Sequence, residues 1–473
     1  MIRLILALSS ILLVSGSTIA RGQFPNFAAA DLVLGASDFS SVGTAALTSS
    51  GLDSPVGIAI DPTSGKLFVV CVSQSRILRF ADPASLANGA AAEAVIGQVD
   101  FTSSVRATTA GNLRDPYNLH IDSLGRLWIA EYSNNRVLMF EDASDLPVSG
   151  ATADLVLGQP DFTSRDPGTS DTTMRNPTAV FVDADDNVWV ADFNNYRVLK
   201  FANASALSDG SPATSVLGQE DFSASSFSTT AETMKAPVSV FVDAERRLWV
   251  AAKDDHRILR FDNAASLANG APASAVLGQP DFTTGTRGTT AGKMWNPKAA
   301  IVDAAGTLYV SDDENHRILV FKNAAALPNG APADRVIGQA DFITNTSGTT
   351  NRKLQSPWGI AVDAKGALWV GDASNHRVLR FSADRFVAAP KIKGRLPKST
   401  GSARLRIKGT ATDPSGIAGI RFKISRKPTQ LATGTSIWKF SAKLKPGVNT
   451  ILIQAEDRAG NVSPPKRVKV RLK

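Results

Sequence analysis

Residues 357–381 read PWGIAVDAKGALWVGDASNHRVLRF, and the chain says nearly the same thing six times. Prolines 55, 116, 177, 237, 297 and 357 recur at intervals of 61, 61, 60, 60 and 60 residues, each opening a copy; PTAVFVDADDNVWVADFNNYRVLKF starts at Pro177 and PKAAIVDAAGTLYVSDDENHRILVF at Pro297. Branched and ring side chains pack well on a pleated surface, while Asp and Gly accept turn dihedrals, so short runs of the first separated by the second read as strands. A further run, such as SAVLGQPDF at 274–282, supplies a fourth strand. Four short strands per repeat, six times over, predict an all-β fold, a six-bladed β-propeller.

The ends of the repeat predict how the ring closes. Copies one to five finish with VIGQVDF, VLGQPDF, VLGQEDF, VLGQPDF and VIGQADF, whereas the sixth stops after VLRFSADRF. The missing piece stands near the start, DLVLGASDF at 31–39. An N-terminal strand that completes the last blade would leave the ring without an exposed edge.

The residues of 357–381 resemble the NHL repeat, whose pattern is a Pro-x-Gly-Ile-Ala-Val-Asp strand, a Leu-Trp-Val-x-Asp strand and then Asn-x-Arg-Val-x-x-Phe. The resemblance covers about residues 28 to 386 and implies a propeller; the family includes protein-binding, RNA-binding and sensor propellers as well as lyases. Copies of about 60 residues exceed the usual repeat through two extended connections, of the types NAASLANGAPA and TGTRGTTAGKMWNP. Beyond Phe386 comes a Pro/Gly/Ser/Lys-rich linker, read as 387–402, and then alternating runs such as RLRIKGTATD, IWKFSAKL and RVKVRLK, which predict a small β-sandwich over 403–473. GTATDPSGIAGI and KPGVNTILIQAEDRAGN resemble bacterial immunoglobulin-like (Ig-like) modules.

The chain opens MIRLILALSSILLVSGSTIARG: a basic start, an apolar run from Leu4 to Val14, then small residues. That pattern reads as a signal peptide over 1–22, cut near Ala20 or Gly22, since the apolar run is well short of the roughly 20 residues that span a bilayer. A secreted, periplasmic or cell-surface location follows, with no transmembrane segment in the mature chain. One cysteine, Cys71, leaves no internal disulfide to hold the fold. From Pro390 onward 20 Lys and Arg face three acids, a net of +17; with Arg3 and Arg21 set aside, the rest has 29 basic against 40 acidic residues, a net of −11. The basic end points to an anionic envelope polymer as partner, and the acidic propeller argues against nucleic acid.

Candidate chemistry is what remains after the repeated letters are removed. Three of the four histidines, His256, His316 and His376, occupy one register with Ser75, Asn135 and Tyr196, and so read as scaffold. So do Arg76, Arg136, Arg197, Arg257, Arg317 and Arg377, each expected to bind backbone carbonyls or a preceding acid, as Arg377 with Asp372. The aspartates 61, 122, 183, 243, 303 and 363 read as turn residues, and Phe68, Trp128, Trp189, Trp249, Tyr309 and Trp369 as packing between blades. Cys71 reads as a small half-buried thiol.

Only His120 departs from its register as a histidine, which makes it the single catalytic candidate, set against the plainer reading of a partly buried packing residue. The other non-repeating residues cluster around the recurrent prolines: Arg114, Asp115, Tyr117, Arg175, Asn176, Lys235, Trp295, Asn296, Lys298, Gln355 and Trp358. In propellers of the NHL kind those linkers lie around one mouth of the channel, where tryptophans and cations can stack on and hydrogen-bond a sugar ring or peptide. The expected function is an exported binding scaffold, monomeric and without a cofactor, for a protein, peptide or glycan, with the Ig-like end for attachment. The alternative is a lyase or lactonase-type hydrolase with calcium or zinc at the mouth, as the resemblance to lyase propellers implies.

Overall fold

A computed structural model describes residues 24–382, 389–412, 417–425, 428–457 and 463–473. The signal-peptide stretch lies outside the described residues.

The six copies form six four-stranded antiparallel sheets. Blade one takes Pro55–Ile60, Leu67–Cys71, Arg76–Phe80 and Ala94–Ile96 from the inside outward, and the next four blades repeat this order. Blade six takes Pro357–Val362, Leu368–Asp372 and Arg377–Phe381, and its outer strand is Leu32–Leu34, paired antiparallel so that Val33 faces Leu379. The expected N-terminal closure is therefore present. Each innermost strand touches those of both neighbouring blades, which closes the ring around a channel.

Six apolar clusters hold the ring, each shared by two adjacent blades. Trp128, Trp189, Trp249 and Trp369 each sit in the cluster joining their own blade to the next. Each is almost fully buried, and its indole N–H is taken up by the turn aspartate six residues earlier: Trp128 donates to Asp122 at 3.0 Å and Trp189 to Asp183 at 2.8 Å. A ring of that size removes a large apolar area from water only where its polar tip finds a partner, and the turn aspartate provides one.

The repeated arginines are the second fastener. Arg377 is fully buried and donates through Nε to Asp372 at 2.8 Å, while its other nitrogens reach the carbonyls of Phe39, Thr349, Thr350 and Lys353. One planar cation thus ties the long linker to the blade. Blades one and four lack the acid, having Cys71 and Ala252, and each replaces it three residues on: Gln74 accepts from Arg76 at 2.8 Å, and Asp255 lies 3.2 Å from Arg257.

His256, His316 and His376 take left-handed backbone, φ 52° to 53°, as do the other three residues of that register. Their Nδ1 atoms accept the backbone N–H of Asn296, Ser356 and Ser54 in the following blade, at 3.3, 3.2 and 3.2 Å. Asn135 does the same for Asn176 at 2.8 Å. In five of the six blades, Ser75 included, the repeated letter is a polar acceptor that sits at positive φ, a conformation His and Asn adopt more readily than most residues, and Tyr196 keeps the backbone conformation alone.

The C-terminal part forms two sheets that fit an Ig-like sandwich. One holds Lys391–Ile392, Arg404–Thr410 and Ile437–Lys443; the other holds Ser399–Thr400, Lys466–Leu472, Gly447–Asp457, Ile417–Ile424 and Gln430–Leu431. Both contribute to one apolar cluster that includes Ile407, Trp438, Phe440, Ile420, Phe422 and Ile451. Two short strands fall inside 387–402, read above as linker, so the sandwich takes in part of that stretch; two-residue strands are too short to show alternation in sequence.

Candidate functional site at the channel mouth

The residue after each recurrent proline is the second of the innermost strand and faces one mouth of the channel. Around the ring these are Val56, Tyr117, Thr178, Val238, Lys298 and Trp358, and all six line a cavity of about 230 Å³. A second register completes the rim, the residue after each second strand, of which Tyr132, Phe193 and Lys253 line the same cavity.

Their side chains form a continuous arc. Trp358 and Tyr117 reach over the smaller Val56 to a ring separation of 5.5 Å; Tyr117 stacks on Tyr132 at 4.7 Å, 22° from parallel; Tyr132 meets Phe193 at 6.2 Å. Two ammonium groups close the arc, Lys298 over the Trp358 ring at 4.0 Å and Lys253 over Phe193 at 5.9 Å. Lys298 also pairs with Asp313 at 3.6 Å, and Lys253 with Asp254 at 3.1 Å. Asp313 belongs to the same second register as Tyr132, Phe193 and Lys253.

Burial sets the electrostatics here. It pulls the Lys298 ammonium below its ordinary range, aided by Lys253 nearby, and pushes the Asp313 carboxyl up, while their mutual attraction opposes both shifts. Burial also drives the Tyr117 phenol up to about 12, so it remains a neutral hydrogen-bonding group. The mouth therefore offers aromatic faces and two ammonium groups, each held by one aspartate. A polar ring can stack on such faces while its substituents bond to the ammonium groups.

Of the residues singled out in sequence, the structure brings Tyr117, Lys298 and Trp358 together here. Asp115, Asn176 and Asn296 lie one residue before the prolines, at φ 48°, 55° and 56°, where Ser54, Ala236 and Ser356 adopt the same conformation. They are turn residues: Asp115 accepts from Arg106 and Ser133, and Asn176 donates to the carbonyl of Tyr132 at 2.9 Å. Arg114, Arg175, Lys235, Trp295 and Gln355 are a residue further back, and their backbone N–H groups bond to Glu131, Asp192, Asp255, Asp312 and Asp372. Trp295 does not join Trp358 at the mouth, because the left-handed turn lies between their registers; the guanidinium of Arg287 covers its ring at 4.5 Å.

Tyr132, Phe193, Lys253 and Asp313 were not singled out in sequence. The signal was available: they follow the last residue of the second strand, and six aligned copies give Val72, Tyr132, Phe193, Lys253, Asp313 and Ala373, a register as varied as the one after proline.

His120 stands on the channel wall, pairing across to Trp128, with its ring 4.2 Å from that of Phe181. Burial pushes its imidazole down to about 4, against a weaker pull upward from Asp122. The channel around it, a cavity of about 530 Å³, is lined by Ala59, Phe181, Phe241, Ile301 and Ala361 at the same level. A larger cavity, about 810 Å³, opens at the opposite end beside Asp61, Asp303 and Asp363. Those carboxylates are engaged in their own turns, by Thr63, Thr307 and Ala367 among others, so size alone does not make it the better site. Cys71 is buried, and burial pushes its thiol up to about 11. Among the described residues no group of three or more His, Cys, Asp or Glu side chains is placed to hold a metal ion, and no helix is long and apolar enough to cross a membrane.

The family model of the NHL repeat matches residues 174–201 and 354–381. No curated protein sequence matches the chain. Similar solved structures include a streptogramin B lyase, 14% identical over 69% of this chain and 93% of that one, with a TM-score of 0.39. They also include virginiamycin B lyase from Staphylococcus aureus, 13% identical over 69% and 94%, TM-score 0.38. A third is an auxiliary nutrient binding protein from Bacteroides thetaiotaomicron, 14% identical over 70% and 69%, TM-score 0.43. The chain is a six-bladed β-propeller, two of whose copies match the NHL repeat, followed by a β-sandwich.

Proposed function

We propose that the protein is an exported binding scaffold whose propeller takes a ligand at the channel mouth and whose basic sandwich attaches it to an anionic envelope polymer. The observation that carries the first half is the arc of Trp358, Tyr117, Tyr132 and Phe193 closed by Lys298 and Lys253. Nothing in the repeat requires aromatic rings in those two registers, since other blades use Val, Thr and Ala there. A cavity of about 230 Å³ is smaller than the few hundred Å³ typical of a drug-sized ligand, which suits one ring or one side chain at the end of a glycan or peptide. Export is supported by the composition of the first 22 residues, and attachment by the net charge of the C-terminal end.

A panel of immobilised oligosaccharides and peptides tests this. The wild-type chain is expected to retain at least one member, with W358A and Y117A weakening it about tenfold or more and W295A leaving it within twofold. Binding that ignores W358A and Y117A, or a panel with no retained member, would sink the proposal.

A further inference from the structure

The sheet of Lys391–Ile392, Arg404–Thr410 and Ile437–Lys443 carries a charge pattern that its own stability does not call for. Alternation sends Ile407, Trp438, Phe440 and Ala442 into the core and leaves Arg404, Arg406, Lys408, Lys439 and Lys443 on the exposed face. Antiparallel register then sets Lys408 directly opposite Lys439, and Arg404 opposite Lys443. At the edge, Lys391 pairs with Thr410. None of the three strands contains an acid. Like charges directly opposite on one face repel, so the sheet tolerates a cost in stability at each such pair. The other sheet is built differently: Arg467, Lys469 and Arg471 lie opposite Leu452, Thr450 and Val448, and Arg421 pairs with Glu456.

We propose that this face docks a linear acidic polysaccharide, which deepens the attachment reading above and rests on it. Residues alternate along a strand at about 6.8 Å and neighbouring strands lie about 4.8 Å apart, so the cations form two parallel rows that one extended chain of carboxylate or sulfate groups can follow. The charge complement is uniform across the face. A lipid surface fits less well, because the exposed apolar residue on these strands is Ile437, at one end. Single-stranded nucleic acid fits less well too, because the aromatic residues of the sheet, Trp438 and Phe440, point inward, where they stack at 5.9 Å rather than offering a face to bases.

The full chain is tested on immobilised heparin and polygalacturonate, with phosphatidylglycerol vesicles and single-stranded DNA as competing polyanions. Two triple variants are compared: R406E/K408E/K439E on this face, and K423E/R467E/K469E, matched in charge, on the other sheet. The expected result is wild-type retention on at least one polysaccharide that salt reverses, a loss of tenfold or more in the first variant, and a change within threefold in the second. R406Q/K408Q/K439Q, which removes charge without adding repulsion, should show the same loss with an unfolding midpoint that does not fall. Equal losses in both triple variants, or tighter binding to vesicles or DNA, would overturn the choice of face or of partner. Failure of the wild type to bind any polyanion would overturn the attachment reading itself.

Discussion

At position 376 the histidine ring accepts the backbone N–H of Ser54 from the neighbouring blade. A residue type that suggests catalysis is thus explained by backbone geometry, and the same argument covers His256 and His316. His120 is different because its register elsewhere holds Ala, Phe and Ile. The unfolded chain binds a proton there near pH 6.5, while the folded chain refuses it until about pH 4. Stability should therefore fall as pH drops through that window and be flat above it. H120F removes this component: between pH 7 and pH 4.5 the wild type should lose about 1–2 kcal/mol more than the variant in urea unfolding, the channel's water keeping the effect below its full value. Equal losses would show that His120 protonates as freely in the folded chain as in the unfolded one. Sequence alone isolated His120 from the other histidines, but could not say what its ring touches, because strand alternation leaves a channel-wall residue and a blade-interface residue looking alike.

In four of the six blades, the acid of the second strand and the arginine of the third form the fixed point to which the linker is tied. Burial pushes Asp312 up to about 6, and the pairing with Arg317 at 2.7 Å works against that rise. Removing one partner leaves a buried charge uncompensated, so R317M should cost about 3–5 kcal/mol in chemical unfolding. R257M should cost less, since Arg257 meets its acid, Asp255, at the longer distance of 3.2 Å with its Nε unpartnered, and Asp255 keeps the hydrogen bonds from Thr229 and the Lys235 backbone N–H. Equal costs would mean that the carbonyl contacts, rather than the acid, carry the interaction. The repeat made this pairing legible in the sequence, because an acid stands five residues before the arginine in four of the six copies. The mouth was only half legible. The register after proline stood out, but the register after the second strand did not, because its residues Phe193, Lys253 and Asp313 lie at the start of short 3-10 turns, which sequence shows only as loop.

For the whole molecule, closure depends on a strand some 340 residues distant in sequence from its partners. Val33 is fully buried between blades five and six, so V33D should cost about 3 kcal/mol or more and leave an open sheet edge that aggregates on size exclusion. A chain that keeps its midpoint and stays monodisperse would show that the ring does not need this strand. The division of charge, acidic propeller and basic sandwich, was readable from composition; which sheet carries the opposed cations was not, because cross-strand register is set by pairing rather than by sequence spacing. The central claim is that repeated residues build the propeller while the non-repeating residues of one mouth bind the ligand. Its most direct test is a crystal structure of the full chain with the best-retained panel member. The ligand should lie against the rings of Trp358 and Tyr117 with a polar group near Lys298. Density instead at the opposite end of the channel, beside Asp303 and Asp363, or at the rim beside Trp295, would contradict the assignment.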